Sequence, residues 1–185
     1  MWLIANVVGS MFLPAFVWQE AYDLRSRIFL TEILQGIGIS ITQSLVLRDR
    51  FAKQGWWLPL TVFGWSAGLV LIFFVPLLSV RSQSPDLVSA TSSVSIVILL
   101  IDFAIIGTTV GVCQWQLLKS FRAAGLWLFV SAIALSVSTF GVYLGYIAKS
   151  TVLGSALQGA IYGAITGLAA IKVLRSPKVL PKSKR

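Results

Sequence analysis

Residues 94–118 read VSIVILLIDFAIIGTTVGVCQWQLL, and Asp102 is the only charged side chain among them. At about 1.5 Å of rise per residue a helix of this length exceeds the roughly 30 Å hydrocarbon core of a bilayer. A barrel strand would be shorter and would alternate apolar with polar residues, whereas this run is continuous. Gly107, Gly111 and Gln114 follow one another at i, i+4 and i+7, a spacing that places them on one helix face. The run therefore predicts a membrane helix carrying a smooth stripe with a polar tip.

Five more stretches are of similar kind: Trp2–Trp18, Ile28–Leu47, Trp56–Leu78, Leu126–Ile147 and Val152–Leu174. The chain as a whole is 57% hydrophobic and 11% charged, with a mean hydropathy of +0.87. Lipid is the solvent such a surface requires. The first stretch is short and contains Pro14, yet it lacks the basic leader of a signal peptide. Cys113 has no second cysteine to pair with and reads as a small packing residue.

Internal similarity strengthens the prediction. The stripe of the quoted run recurs as Gly36, Ser40 and Gln43 and again as Gly159, Gly163 and Thr166, each followed by basic residues. A second signature opens the alternate stretches: Trp2-Leu3 is followed by Gly9, Trp57-Leu58 by Gly64 and Trp127-Leu128 by Ala134, always seven positions after the tryptophan. Two signatures in strict alternation predict a six-helix transmembrane bundle of three tandem parallel helical hairpins, at about 1–50, 55–120 and 125–175, with the middle one enlarged by a polar loop around Ser79–Ser93. In lipid, small-residue contact and hydrogen bonds between helices hold such a bundle together, so Gln43 and Gln114 are expected to bond across helices. Trp2, Trp56, Trp57, Trp127 and Trp18 are expected as interfacial anchors, and Trp65 and Trp115 as packing residues.

The net charge of +9 is unevenly spread. With both termini cytoplasmic, that side holds Arg48, Arg50, Lys53, Lys119, Arg122, Lys172, Arg175, Lys178, Lys182, Lys184 and Arg185, leaving Arg25, Arg27, Arg81 and Lys149 outside. This asymmetry is the one insertion imposes on loop charges, and it displaces nucleic acid as the reason for the basicity. Residues 1–175 thus form a single transmembrane domain and 176–185 a basic cytoplasmic tail, whose Arg175, Lys178, Lys182, Lys184 and Arg185 are suited to anionic headgroups. Beyond the bilayer itself, other membrane helices or a second copy are the partners expected.

Gln43-Ser44-Leu45-Val46-Leu47-Arg48 with Gly55-Trp56-Trp57, echoed by Gln114-Trp115-Gln116-Leu117-Leu118-Lys119, resembles a group of uncharacterised bacterial multi-pass membrane proteins with repeated Gln-Trp-Leu-Val-Leu-Arg and Gly-Trp-Trp segments. The chain departs from that pattern at Ser44 and by having Thr166 where a third glutamine would stand. The resemblance implies a bacterial plasma or internal membrane and carries over no activity.

Catalytic chemistry finds little footing. Gly64-Trp65-Ser66-Ala67-Gly68 matches the serine-hydrolase pattern, but the chain contains no histidine to act as base, and the motif needs a strand-to-helix turn. Without histidine, and with one cysteine, zinc and haem ligation are not expected either. No catalytic residue, cofactor or metal is assigned.

Asp102 stands apart, because a carboxylate at mid-helix costs about 2.5–3.5 kcal/mol on insertion scales. It is expected to face the bundle interior, in the same outer half as Glu32. Either the two acids share a proton or a cation near an outward-opening cavity, or Asp102 is protonated and hydrogen-bonded to a neighbouring helix. The corresponding functions are a non-enzymatic accessory, assembly or lipid- and partner-contacting membrane protein, and a small transporter or channel for protons, cations or a compact solute. Polar side chains drawn into tight helix contacts favour the first; the same side chains around a hydrated cavity favour the second.

Overall fold

The computed structural model describes residues 1–12, 24–48, 54–74 and 93–178. The predicted loop at Ser79–Ser93 lies almost wholly outside these residues, as do Pro14, Trp18, Arg50, Lys53, Arg81, Lys182, Lys184 and Arg185. Among the described residues the chain forms six α-helices and no strand: α1 (Trp2–Phe12), α2 (Leu24–Val46), α3 (Trp57–Phe74), α4 (Ser93–Leu118), α5 (Gly125–Ile147) and α6 (Thr151–Arg175). A 3-10 turn, Gln54–Trp56, leads into α3.

Each helix packs on the next, and α6 returns to α1, so the six close a ring. Where two contacts fix the direction, neighbours are antiparallel. On α4, Gly107 meets Ser131 and Ala132 of α5, and Gly111, one turn on, meets Leu128 and Ser131. Between α6 and α1 the same relation places Gly159 on Ser10 and Asn6, Gly163 on Asn6, and Gly167 on Trp2. The α5–α6 turn is tight: Ser150 N–H donates to Gly145 O, the Ser150 hydroxyl caps α6 by accepting from Leu153 N, and Lys149 adopts φ 51°.

Burial is inverted relative to a protein that folds in water. Asn6, Gln35, Ser40, Gln43, Thr61, Asp102, Gln114, Gln158 and Thr166 are buried, while Phe63, Phe129, Ile133 and Leu168 are more than half exposed. A soluble chain leaves its large apolar side chains scattered singly on the surface and keeps amides out. Here the helices turn apolar faces outward along their length, the arrangement lipid selects. Leu99–Leu118, Gly125–Gly145 and Val152–Arg175 are long and apolar enough to cross a membrane, and Trp2–Met11 and Trp57–Ile72 are shorter apolar helices.

Inside the ring lie two apolar clusters. One gathers Ile39, Trp65, Leu69, Ile106, Val110, Leu135 and Tyr162. The other gathers Leu47, Trp57, Leu118, Phe121, Trp127, Ala170 and Val173, with Trp2 against it. Gln43 is one turn from Ile39 on one side and Leu47 on the other; Gln114 stands likewise between Val110 and Leu118, and Thr166 between Tyr162 and Ala170. Spacing of four keeps each trio on one helix face, so a polar layer separates the clusters.

Candidate functional site: a polar layer beneath three tryptophans

The polar layer is built by indoles reaching across helix boundaries. Trp57 Nε1 donates to Gln43 Oε1 at 3.1 Å, Trp127 Nε1 to Gln114 Oε1 at 2.8 Å and Trp2 Nε1 to Thr166 Oγ1 at 3.0 Å. Each bond joins the first turn of α3, α5 or α1 to the second half of α2, α4 or α6 respectively. The glutamine amides then donate onward, Gln43 Nε2 to Asn6 Oδ1 at 2.8 Å and Gln114 Nε2 to the Thr61 hydroxyl at 2.9 Å. Gln43 also hydrogen-bonds the Tyr162 side chain. Asn6 Nδ2 returns to Trp2 O, and the hydroxyls of Thr61 and Thr166 donate to Trp57 O and Tyr162 O.

The indoles pack on one another edge to face. Centroids are 6.2 Å apart for Trp2 and Trp57, 6.3 Å for Trp2 and Trp127, and 5.8 Å for Trp57 and Trp127, with interplanar angles of 70–84°. Such edge-to-face pairs contribute about 0.5–1.5 kcal/mol each beyond area burial. Trp57 and Trp127 are only 1% exposed. This corrects the expectation that they anchor the chain at the lipid–water boundary. They lie at helix starts, as the sequence indicates, but a buried amide partner on the neighbouring helix satisfies each N–H and draws the ring inward; of the four described tryptophans expected as anchors, Trp56 alone is strongly exposed, at 62%.

The small-residue stripes point to the same seams. A Cβ on Gly107 would stand 2.5 Å from Ser131 O and 2.8 Å from Ala132 Cα, so backbone presses on backbone there. Gly36 lies instead under the Trp65 indole, with a built Cβ 2.6 Å from Cγ, and Gly163 lies under the Asn6 side chain. The buried Ser40 hydroxyl folds back to Gly36 O at 2.5 Å. Gly9 and Gly64 serve the alternate seams, against Gly38 on α2 and Val110 on α4. At this second seam the Thr109 hydroxyl donates to Gly64 O at 2.8 Å, and across the α4–α5 seam Ser136 donates to Leu100 O, also at 2.8 Å.

Asp102 is buried on α4, 2% exposed, and Glu32 is half-buried on α2. In the ring α3 stands between their helices. The half of the core that holds them also contains groups the sequence reading did not single out as a set. Among the described residues, Gln35 Nε2, Gln158 Nε2 and Trp65 Nε1 are buried donors with no acceptor, and the buried Ser10 and Ser131 hydroxyls likewise have no partner there. The legible signal was that Gln35 and Gln158 each immediately precede the first glycine of a stripe. Among the described residues, no group of three or more His, Cys, Asp or Glu side chains is placed to hold a metal ion. Of the basic residues expected to meet headgroups, the two described, Arg175 and Lys178, are exposed at the end of α6 and just beyond it.

Fold and site together define a helical membrane protein in which the polar side chains beneath the three tryptophans are hydrogen-bonded to one another. Comparison with protein-family models, curated proteins and solved structures gives no match.

Proposed function

We propose that the chain is a non-enzymatic, multi-pass membrane module of six spans, built as three tandem hairpins with both termini on the cytoplasmic side, that acts through contacts with lipid and with other membrane proteins. The observation that carries this reading is the fate of Gln43 and Gln114. In a transport path they would line a hydrated lumen; here each amide both accepts from an indole and donates to a neighbouring helix. The cyclic order of the three indole bonds and the equal spacing of the indoles support the hairpin repeat. The basic ends of α2, α4 and α6, all of which fall on the tryptophan side of the bundle, support the orientation.

A second reading, a small transporter or channel for protons, cations or a compact solute, is favoured by the buried amide donors of Gln35 and Gln158 in the half that contains Asp102 and Glu32. Proton and cation flux through the purified chain in liposomes separates the two. The module reading expects no flux above empty vesicles from folded protein, and membrane partners recovered by pull-down after cross-linking. Native flux abolished by Asp102→Asn or Glu32→Gln would replace it with the transporter.

A further inference from the structure

We infer that the α4–α5 turn and the segment following α6 together form a binding site for the phosphate of an anionic phospholipid. The site is assembled by the fold. Beyond Arg175 the chain turns extended at Ser176, whose hydroxyl donates to Val173 O at 2.6 Å and accepts from Ala123 N at 3.2 Å. Arg122 N–H then donates to Pro177 O at 3.0 Å, Phe121 and Lys178 pair as an antiparallel bridge, and the Lys178 ammonium lies 5.9 Å from the centroid of the Phe121 ring. Phe121 and Ala124 are buried at 5% and 2%, which fixes the turn to the core below.

This clasp brings cations from two distant stretches of sequence to one edge. Arg122 and Lys178 sit on the clasped segments, Lys119 follows the end of α4, and Lys172 and Arg175 occupy the last turn of α6; all five are exposed. None makes an ion pair with a described residue. The described acids are Glu32 on α2 and Asp102 on α4, and Asp102 lies about 25 Å along the helix from Lys119 at 1.5 Å per residue. Backbone bonds therefore hold like charges together with nothing in the described chain to neutralise them. On the membrane reading, on which this inference rests, the edge lies at headgroup depth, where phosphate diesters are the abundant anions and attract each nearby cation. Charge that only sets topology needs no such clasp.

The test uses the full chain in phosphatidylcholine nanodiscs titrated with phosphatidylglycerol, with bound lipid counted by native mass spectrometry. Arg122→Gln/Lys178→Gln is expected to weaken phosphatidylglycerol binding about thirty-fold, the effect of two surface cations. Arg48→Gln/Lys149→Gln removes the same charge from outside the clasp and is expected to weaken binding clearly less than the clasp pair does. Arg122→Lys/Lys178→Arg keeps both charges and should retain binding within about threefold. An equal loss in the Arg48/Lys149 variant, loss in the charge-keeping variant, or no preference of the native chain for phosphatidylglycerol over phosphatidylcholine would each overturn the site. Displacement by soluble glycerol phosphate at the same concentration would overturn lipid as the source. These outcomes are independent of the flux assay, so the site can fail while the module reading stands.

Discussion

At the scale of the residue, Gln114 does work that no apolar side chain of its size can do. Its carbonyl satisfies a buried indole and its amide satisfies the hydroxyl of Thr61, so one side chain joins α4 to both α5 and α3. Gln114→Leu keeps the volume and strands the Trp127 N–H in a low-dielectric core. Hydrogen bonds between membrane helices contribute about 0.6 kcal/mol on average, and an orphaned buried donor costs about 1–3 kcal/mol. The expected loss is therefore about 2 kcal/mol, read as a shift in reversible unfolding in micelles. Gln116→Leu, two residues on at an exposed position, is expected to change stability by less than about 0.5 kcal/mol. Equal effects at the two positions would remove Gln114 from the list of groups that hold the ring. Thr166→Val poses the same question more gently, since it takes the acceptor from Trp2 alone, and about 1 kcal/mol is expected.

At the scale of the element, what distinguishes one helix contact from another is how near the backbones come. Gly107 has the α5 backbone within 2.8 Å of where a Cβ would stand, whereas Gly125, at the start of α5, has nothing within 4 Å. Gly107→Ala must push α4 from α5, at a cost of about 1–3 kcal/mol for overpacking, while Gly125→Ala should fall within about 0.5 kcal/mol of the native chain. Thermal unfolding of the two variants in the same detergent decides it, and indistinguishable midpoints would mean the α4–α5 seam is not close-packed. The contrast also marks what a sequence can disclose. The i, i+4, i+7 spacing of Gly36, Gly107 and Gly159 was legible because helix periodicity fixes which residues share a face. Which neighbour that face meets was not, because Trp65 covers Gly36 while backbone covers Gly107, and nothing local to either glycine encodes the difference. The tryptophans misled for a related reason: a residue at a helix start has interfacial depth whether it turns out or in, and only a partner such as Gln43 on another helix selects the inward rotamer. The buried donors of Gln35 and Gln158 needed three-dimensional bookkeeping of acceptors, which no spacing rule supplies.

At the scale of the molecule the ring must close, and its closure depends on the seam between the first helix and the last. α1 reaches α6 through Trp2 on Thr166, Asn6 on Gly163 and Ser10 on Gly159, while its other side meets α2 at Gly38. In lipid each helix satisfies its own backbone, so a segment inserts independently and then associates through side-chain contacts. Two fragments, 1–53 and 54–185, coexpressed in one membrane, therefore have two complementary seams with which to reassemble: α1 on α6, and α2 on α3 through Trp57 and Gln43. Co-purification of the two fragments is expected. Gly163→Leu places a branched side chain where Asn6 now packs and is expected to lower recovery about tenfold, since about 1.4 kcal/mol suffices for a factor of ten and overpacking costs about 1–3 kcal/mol. Gly125→Leu, in open space, should leave recovery unchanged and controls for expression. Recovery that survives Gly163→Leu but is lost in Gln43→Leu would place the holding energy on the α2–α3 seam and make α1 a dispensable strut. Recovery lost in both would mean that neither seam suffices alone, as a ring whose every helix is wedged between two others requires.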